Sequence, residues 1–189
     1  SLQNRSTVHL VTFRKAASMA TREIIYFGDP MCSWCWGFSP VIRDISQTYA
    51  DEAPVSIVLG GLHAFDTEPM NEGYKATIRH HWEDVGKATG AVFDYAFFDR
   101  KGFVLDTEPA CRAAVTVRNM DQSKLLHFYD SISRSFYSEN KDTTDLGTFK
   151  LLATEAGLDA DAFQEQFESD VIKEITRIGC RVCIPVRSS

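Results

Sequence analysis

The sequence lacks the features that would commit it to a membrane, a nucleic acid or a disulfide-knit scaffold. None of its 189 residues lie in a run of 18 or more uncharged apolar residues, so a membrane-spanning helix is excluded by length. Positive charge is in deficit, with 20 Lys and Arg against 26 Asp and Glu and a net charge of −6. That sign repels phosphate backbones and anionic lipid surfaces, so neither nucleic acid nor membrane is expected as a partner. The first 23 residues contain Arg5, Arg14, Lys15, Arg22 and Glu23 without a continuous apolar core. They do not read as a secretory signal, and a cytoplasmic location is expected. Cysteine is sparse and odd in number, five in all, unlike a small secreted disulfide framework. Repeats and low-complexity tracts are also missing.

What is present suits a folded enzyme-sized domain. Hydrophobic residues make up 44% and aromatic residues 12%, enough for a sizeable core in a single domain or a domain carrying an insertion. Ile24 to Phe27 is a β-branched and aromatic run ending at Gly28-Asp29-Pro30, which reads as a buried strand and a turn that delivers Cys32. Phe38, Val41, Ile42, Ile45 and Tyr49 recur at helical spacing after it, with Pro40 tolerable in a first turn. Pro54 opens a second strand, Val55 to Leu59, closed by Gly60-Gly61. The resulting β-α-β unit is followed by expected helices at 71–89, 107–119, 122–137, 145–156 and 160–178. Gly90, Gly157 and Gly179 are expected terminators and Asp121 an expected cap. The fold class is therefore α/β with a large helical insertion, divided as 1–62, 63–157 and 158–189. Two strands make too small a sheet. A strand from Val8 to Phe13, a homodimer partner or additional native sequence would complete it.

The chemistry concentrates in Cys32-Ser33-Trp34-Cys35. A C-x-x-C pair at the start of a helix places one sulfur beside unpaired amides and the positive end of the dipole, which favours a thiolate at Cys32. Cys32 would attack a disulfide and Cys35 would resolve the mixed disulfide. A structural disulfide or a metal knuckle is the alternative use of the same spacing. Trp34 and Trp36 offer apolar surface for docking a substrate, or core packing. Asp29 is a candidate for tuning a cysteine pKa, against a solvated turn carboxylate that caps local amides. His63, at the end of the second strand, is a candidate for the active-site rim, against local hydrogen bonding. Cys180-Arg181-Val182-Cys183 repeats the spacing, and four sulfurs would suffice for tetrahedral zinc. The bland alternatives are an incidental tail pair and, for Cys111, a buried inert thiol. His80, His81, Glu83 and Asp84 read as a solvated helical face rather than metal ligands, and Phe93, Tyr95, Phe97, Phe98 and Phe103 as packing for the insertion.

The stretch YFGDPMCSWCWGFSP from Tyr26 to Pro40 resembles the active-site segment of DsbA-family thioredoxin-like proteins, above all their FrnE-like cytoplasmic branch. The likeness continues through Val55 to Gly61, Glu108 to Ala113 and Ala156 to Leu158. It implies a thioredoxin fold interrupted by helices, with Cys32 nucleophilic, Cys35 resolving and Pro30 in the active-site turn. It also implies a cis-proline loop facing the cysteines, for which Pro185 is the candidate, although Val186 replaces the usual small polar residue. The expected activity is thiol–disulfide exchange with protein or small-thiol substrates and a thiol redox partner, without a cofactor or metal. The alternatives are a glutathione-dependent isomerase or transferase, and a non-enzymatic zinc-stabilised or partner-binding module.

Overall fold

A computed structural model describes the backbone of residues 22–183 and side chains as far as Arg181. The expected strand at Val8 to Phe13, Pro185 and the Cys183 side chain lie outside those described residues. The elements run β1 (Ile24–Gly28), α1 (Ser33–Thr48), β2 (Val55–Leu59), α2 (Glu72–Thr89), α3 (Glu108–Met120), α4 (Leu125–Tyr137), α5 (Leu146–Glu155), α6 (Ala160–Glu168) and α7 (Asp170–Cys183), with short 3-10 turns at Tyr95–Asp99 and Gln122–Lys124. Among the described residues the sheet consists of β1 and β2 alone, parallel, with Ile24 opposite Val55 and Gly28 opposite Leu59. The fold is thus α/β and thioredoxin-like, with a large helical insertion and an open sheet.

Local chemistry explains most boundaries. Asn71 caps α2 by accepting from the Tyr74 amide, and Gly90 ends it at φ 76°, where a residue with a Cβ would be strained. Asp145 and Asp159 cap α5 and α6 through their carboxylates, and Asp121 caps the turn before α4.

Four expectations need correction. The helix expected over 160–178 is two helices, because Ser169 adopts extended backbone at ψ 144° and its hydroxyl bonds the Gln166 carbonyl at 2.7 Å. Gly179 does not terminate α7, which continues to Cys183. A Cβ there would make only an ordinary contact, 3.7 Å from the Leu59 carbonyl oxygen, and the helix runs through the glycine on its packing against α3 and β2. Pro40 lies well inside α1, which begins at Ser33. β1 also departs from a fully buried strand, with Ile25 53% and Phe27 58% exposed. The strand period puts Tyr26 and Gly28 on the opposite face, toward the core.

The core gathers the inner face of the sheet and the insertion. Trp82 is its aromatic centre, with ring centroids of Phe97, Phe98 and Tyr137 at 5.1, 4.8 and 5.1 Å. Phe93 and Tyr95 join the same cluster, and Phe103 packs on Phe97, as the packing alternative requires. His80 faces Glu83 and Asp84 on an exposed part of α2.

Candidate active site

The turn after β1 positions the cysteines. Asp29 Oδ1 accepts from the Met31 amide at 2.7 Å, and the Asp29 carbonyl accepts from the Cys32 amide at 3.1 Å. This is a β-turn with Asp first and Pro30 second, the residue Pro suits best. Pro30 is buried, and its carbonyl accepts from the Ser133 hydroxyl at 2.8 Å, fastening the turn to α4. Cys32 follows as the N-cap of α1, with Cys35 in the first turn. Both are free thiols and partly exposed.

The two thiols titrate as one coupled pair. A hydrogen bond between the sulfurs stabilises a single thiolate and disfavours a second. Cys35 is lowered to about 6, first by the bond from Cys32 and further by the hydroxyls of Tyr26 and Tyr129. Cys32 is raised by that same bond and then by burial. A single negative charge is thus held by the pair, stabilised first by the bond between the sulfurs and then by the hydroxyls around Cys35. The hydroxyls of Tyr26 and Tyr129 are buried without a well-formed hydrogen bond and lie close enough to Cys35 to lower it. Cys32 also receives the Cys35 amide, although its side chain makes no well-formed capping bond.

Gly28 makes room for this arrangement. A Cβ there would lie 2.7 Å from the Tyr129 hydroxyl and 2.8 Å from the Tyr26 ring. Gly28→Ala is expected to destabilise the fold by about 1–3 kcal/mol through overpacking, read as a lower urea midpoint with an unchanged m-value.

Asp29 is 3% exposed, so it is a buried carboxylate rather than a solvated one. Its Oδ2 accepts from the Leu62 amide at 2.6 Å and from the Cys111 thiol at 3.8 Å. Burial raises its pKa, opposed by the Met31 amide, the Thr107 hydroxyl and the Leu62 amide.

A pocket of about 260 Å³ opens beside Cys32, lined by Trp34, His63, Tyr74, His81 and Tyr137 among others. Trp34 is 54% exposed at its edge. His63 sits on the rim, with Nδ1 3.2 Å from Asp66 and Nε2 3.2 Å from the Tyr74 hydroxyl. The structure therefore brings Cys32, Trp34 and His63 to one cavity. Trp36 points elsewhere, stacking on Tyr137 with centroids 6.4 Å apart and donating to the Val92 carbonyl at 3.1 Å. Sequence reasoning missed Tyr26, Tyr129 and Tyr74, and read Cys111 as a buried inert thiol. Tyr26 was accessible from strand parity with Gly28. The other two tyrosines come from the helices and carry no local signal. Among the described residues no group of three or more His, Cys, Asp or Glu is arranged to hold a metal ion, and no helix is long and apolar enough to cross a membrane.

The DSBA-like thioredoxin domain matches residues 23–178. The chain belongs to that family. It is 39% identical to a candidate protein disulfide isomerase from Nitrosomonas europaea, with a TM-score of 0.78, covering 84% of this chain and 76% of that one. The cytosolic disulfide reductase DsbM from Pseudomonas aeruginosa shares the fold at a TM-score of 0.70 and 24% identity, over 84% of this chain and 75% of DsbM. The ClpXP adapter protein SpxH of Bacillus subtilis (strain 168) is 22% identical over 148 residues, 78% of this chain. The chain spans about half the length of that curated relative, 48%. The family and its solved members give the DsbA-like chain a thiol-oxidoreductase class, with Cys32 and Cys35 as the candidate redox pair.

Proposed function

We propose that this chain is a dithiol–disulfide oxidoreductase in which Cys32 attacks and Cys35 resolves. The observation that carries the reading is the coupled pair at the start of α1, with Cys32 lining the pocket beside Trp34 and Cys35 beside Tyr26 and Tyr129. The proton of Cys32 passes along the sulfur–sulfur hydrogen bond to Cys35, leaving a thiolate at the pocket. That thiolate attacks one sulfur of the substrate disulfide, forming a mixed disulfide as the substrate S–S bond breaks. The expelled substrate thiolate takes up a proton. Cys35 then loses its proton and attacks the Cys32 sulfur, which releases the second substrate thiol and leaves a Cys32–Cys35 disulfide. Two electrons pass from the dithiol to the substrate, and the reverse sequence oxidises a substrate dithiol.

Trp34 and His63 form the binding rim, while Pro30 and Trp36 are positioning residues. Asp29 tunes the pair from beneath. The substrates are disulfides carried by proteins or small thiols, and a structure of DsbM with GSH supports the small-thiol class. The motif from Tyr26 to Pro40 supports the FrnE-like branch, and the cytosolic designation of DsbM supports a cytoplasmic location.

The test is to mix the reduced protein with oxidised glutathione. Release of two glutathiones per chain is expected, together with a Cys32–Cys35 disulfide. Because the first ionisation of the pair lies at about 6, the thiolate fraction rises through that pH and the initial rate should rise with it, then level off. A midpoint near 9, the ordinary thiol value, or no glutathione release would overturn the reading.

A further inference from the structure

The molecule holds a second pair of thiols that the proposed reaction does not use. Cys111 projects from α3 and Cys180 from α7, and both are fully buried. The two helices pack together, and the thiols are near enough that each shifts the ionisation of the other. Cys180 continues the inner stripe of α7 with Ile172 and Thr176, both buried, at the four-residue spacing that keeps side chains on one helix face. Its sulfur presses on the loop after β2, where a Cβ on Gly61 would meet it at 2.4 Å. Cys111 has a further partner, the Asp29 carboxylate 3.8 Å away.

We propose that Cys111 and Cys180 are an internal redox pair that a small uncharged oxidant of the hydroperoxide class closes into a disulfide between α3 and α7. A single buried cysteine packs as a small hydrophobe and needs no partner. Here two thiols from different helices meet, and a carboxylate stands beside one of them to accept a proton. The interaction between the sulfurs favours ionisation of Cys180 and opposes that of Cys111, so Cys180 is the sulfur that reacts first. Complete burial sets the oxidant: a peptide or glutathione disulfide is too large to reach either sulfur, in contrast to the pocket-facing Cys32.

The steps balance. The Cys180 thiolate attacks one peroxide oxygen, forming an S–O bond as the O–O bond breaks, and the departing hydroxide is protonated to water. The resulting sulfenic acid is attacked by the Cys111 sulfur. An S–S bond forms, the S–O bond breaks, and the expelled hydroxide leaves as water with the proton from Cys111. Two electrons pass from the dithiol to one hydroperoxide. Closing the bond brings the sulfurs to about 2.05 Å, which requires α7 to move toward α3. The product ties α7 to α3 across a long loop and so restricts the unfolded chain.

The reduced Cys32→Ser/Cys35→Ser variant isolates this pair. It is treated with hydrogen peroxide, denatured in alkylating reagent and mapped by mass spectrometry, with wild type in parallel. The expected result is a Cys111–Cys180 cross-linked peptide in both proteins, reversed by dithiothreitol, with a higher thermal midpoint for the oxidised form. Recovery of both thiols alkylated, oxidation to sulfinic acid without a cross-link, or a Cys180–Cys183 bridge would overturn the proposal. Cys111→Ala supplies a second reading, because it removes the resolving sulfur and leaves a small apolar side chain. Dimedone labelling at Cys180 after peroxide is expected in that variant, and its absence would count against the mechanism. Neither result depends on whether Cys32 and Cys35 exchange disulfides.

Discussion

Cys32→Ser is expected to reduce disulfide exchange to background, a loss on the order of a thousandfold or more, as for other removed nucleophiles. A serine hydroxyl is not ionised near neutral pH and does not exchange with disulfides, so no later step can compensate. Cys35→Ser should behave differently. It retains the sulfur at the pocket but not the one that resolves, so the mixed disulfide accumulates to one equivalent and turnover stops. The second variant also removes the hydrogen bond that raises Cys32 and the thiol that is lowered to about 6. Alkylation of its remaining active-site sulfur should therefore lose the midpoint near 6. Intact-mass measurement after mixing with oxidised glutathione separates these cases: no adduct for Cys32→Ser, a stable adduct for Cys35→Ser and a transient one for wild type. An adduct on Cys35 in the Cys32→Ser protein, formed at the wild-type rate, would reverse the assigned roles.

Asp29→Ala is expected to produce the largest loss of stability at the site. The carboxylate accepts from the Met31 and Leu62 amides at 2.7 and 2.6 Å, and alanine leaves both donors buried without a partner. Each such donor costs about 1–3 kcal/mol, so a combined loss of about 2–5 kcal/mol is expected by urea denaturation. Asp29→Asn preserves shape and one acceptor, and its loss should be roughly half as large. The asparagine variant also removes a negative charge that raises Cys32, so the dithiol should ionise at lower pH than in wild type. The sign of the pH dependence follows from burial. The native Asp29 pKa is raised above 3.8, so the native state holds this proton more tightly than the unfolded chain. That contribution is full below 3.8 and lost as pH rises through the native value. Asp29→Asn should abolish that part of the slope. A wild-type stability at Asp29→Ala would show that the turn is held by other groups.

Much of this architecture was legible because local rules and packing agree. The run from Ile24 to Gly28, the capped helices and the C-x-x-C spacing each carry their signal within a few residues. The break at Ser169 was hidden because apolar spacing continues across it, from Phe163 and Phe167 to Ile172, while a single serine redirects the backbone. The continuation of α7 past Gly179 was hidden for the opposite reason. Glycine is a weak helix former, but the packing of α7 against α3 and β2 carries the helix through it. At the site, the location of the cysteines was readable and the surroundings of Cys35 were not. Those include Tyr129, more than ninety residues away in the chain, and Tyr26, whose role depends on which way the strand faces. Asp29 likewise looks like a surface turn residue until α3 and the Leu62 loop close over it.

The pocket walls have a further consequence. Cys32, Ser33 and Trp34 come from the stretch that follows β1, whereas Tyr74, His81, Phe97, Phe136 and Tyr137 come from the inserted helices and turns. Reactivity and choice of cargo are thus written in separable parts of the gene product. Exchange of the pocket-lining parts of the helical insert between relatives would be a route to new clients, provided that Tyr129 and Ser133, which serve the cysteines and their turn, are kept.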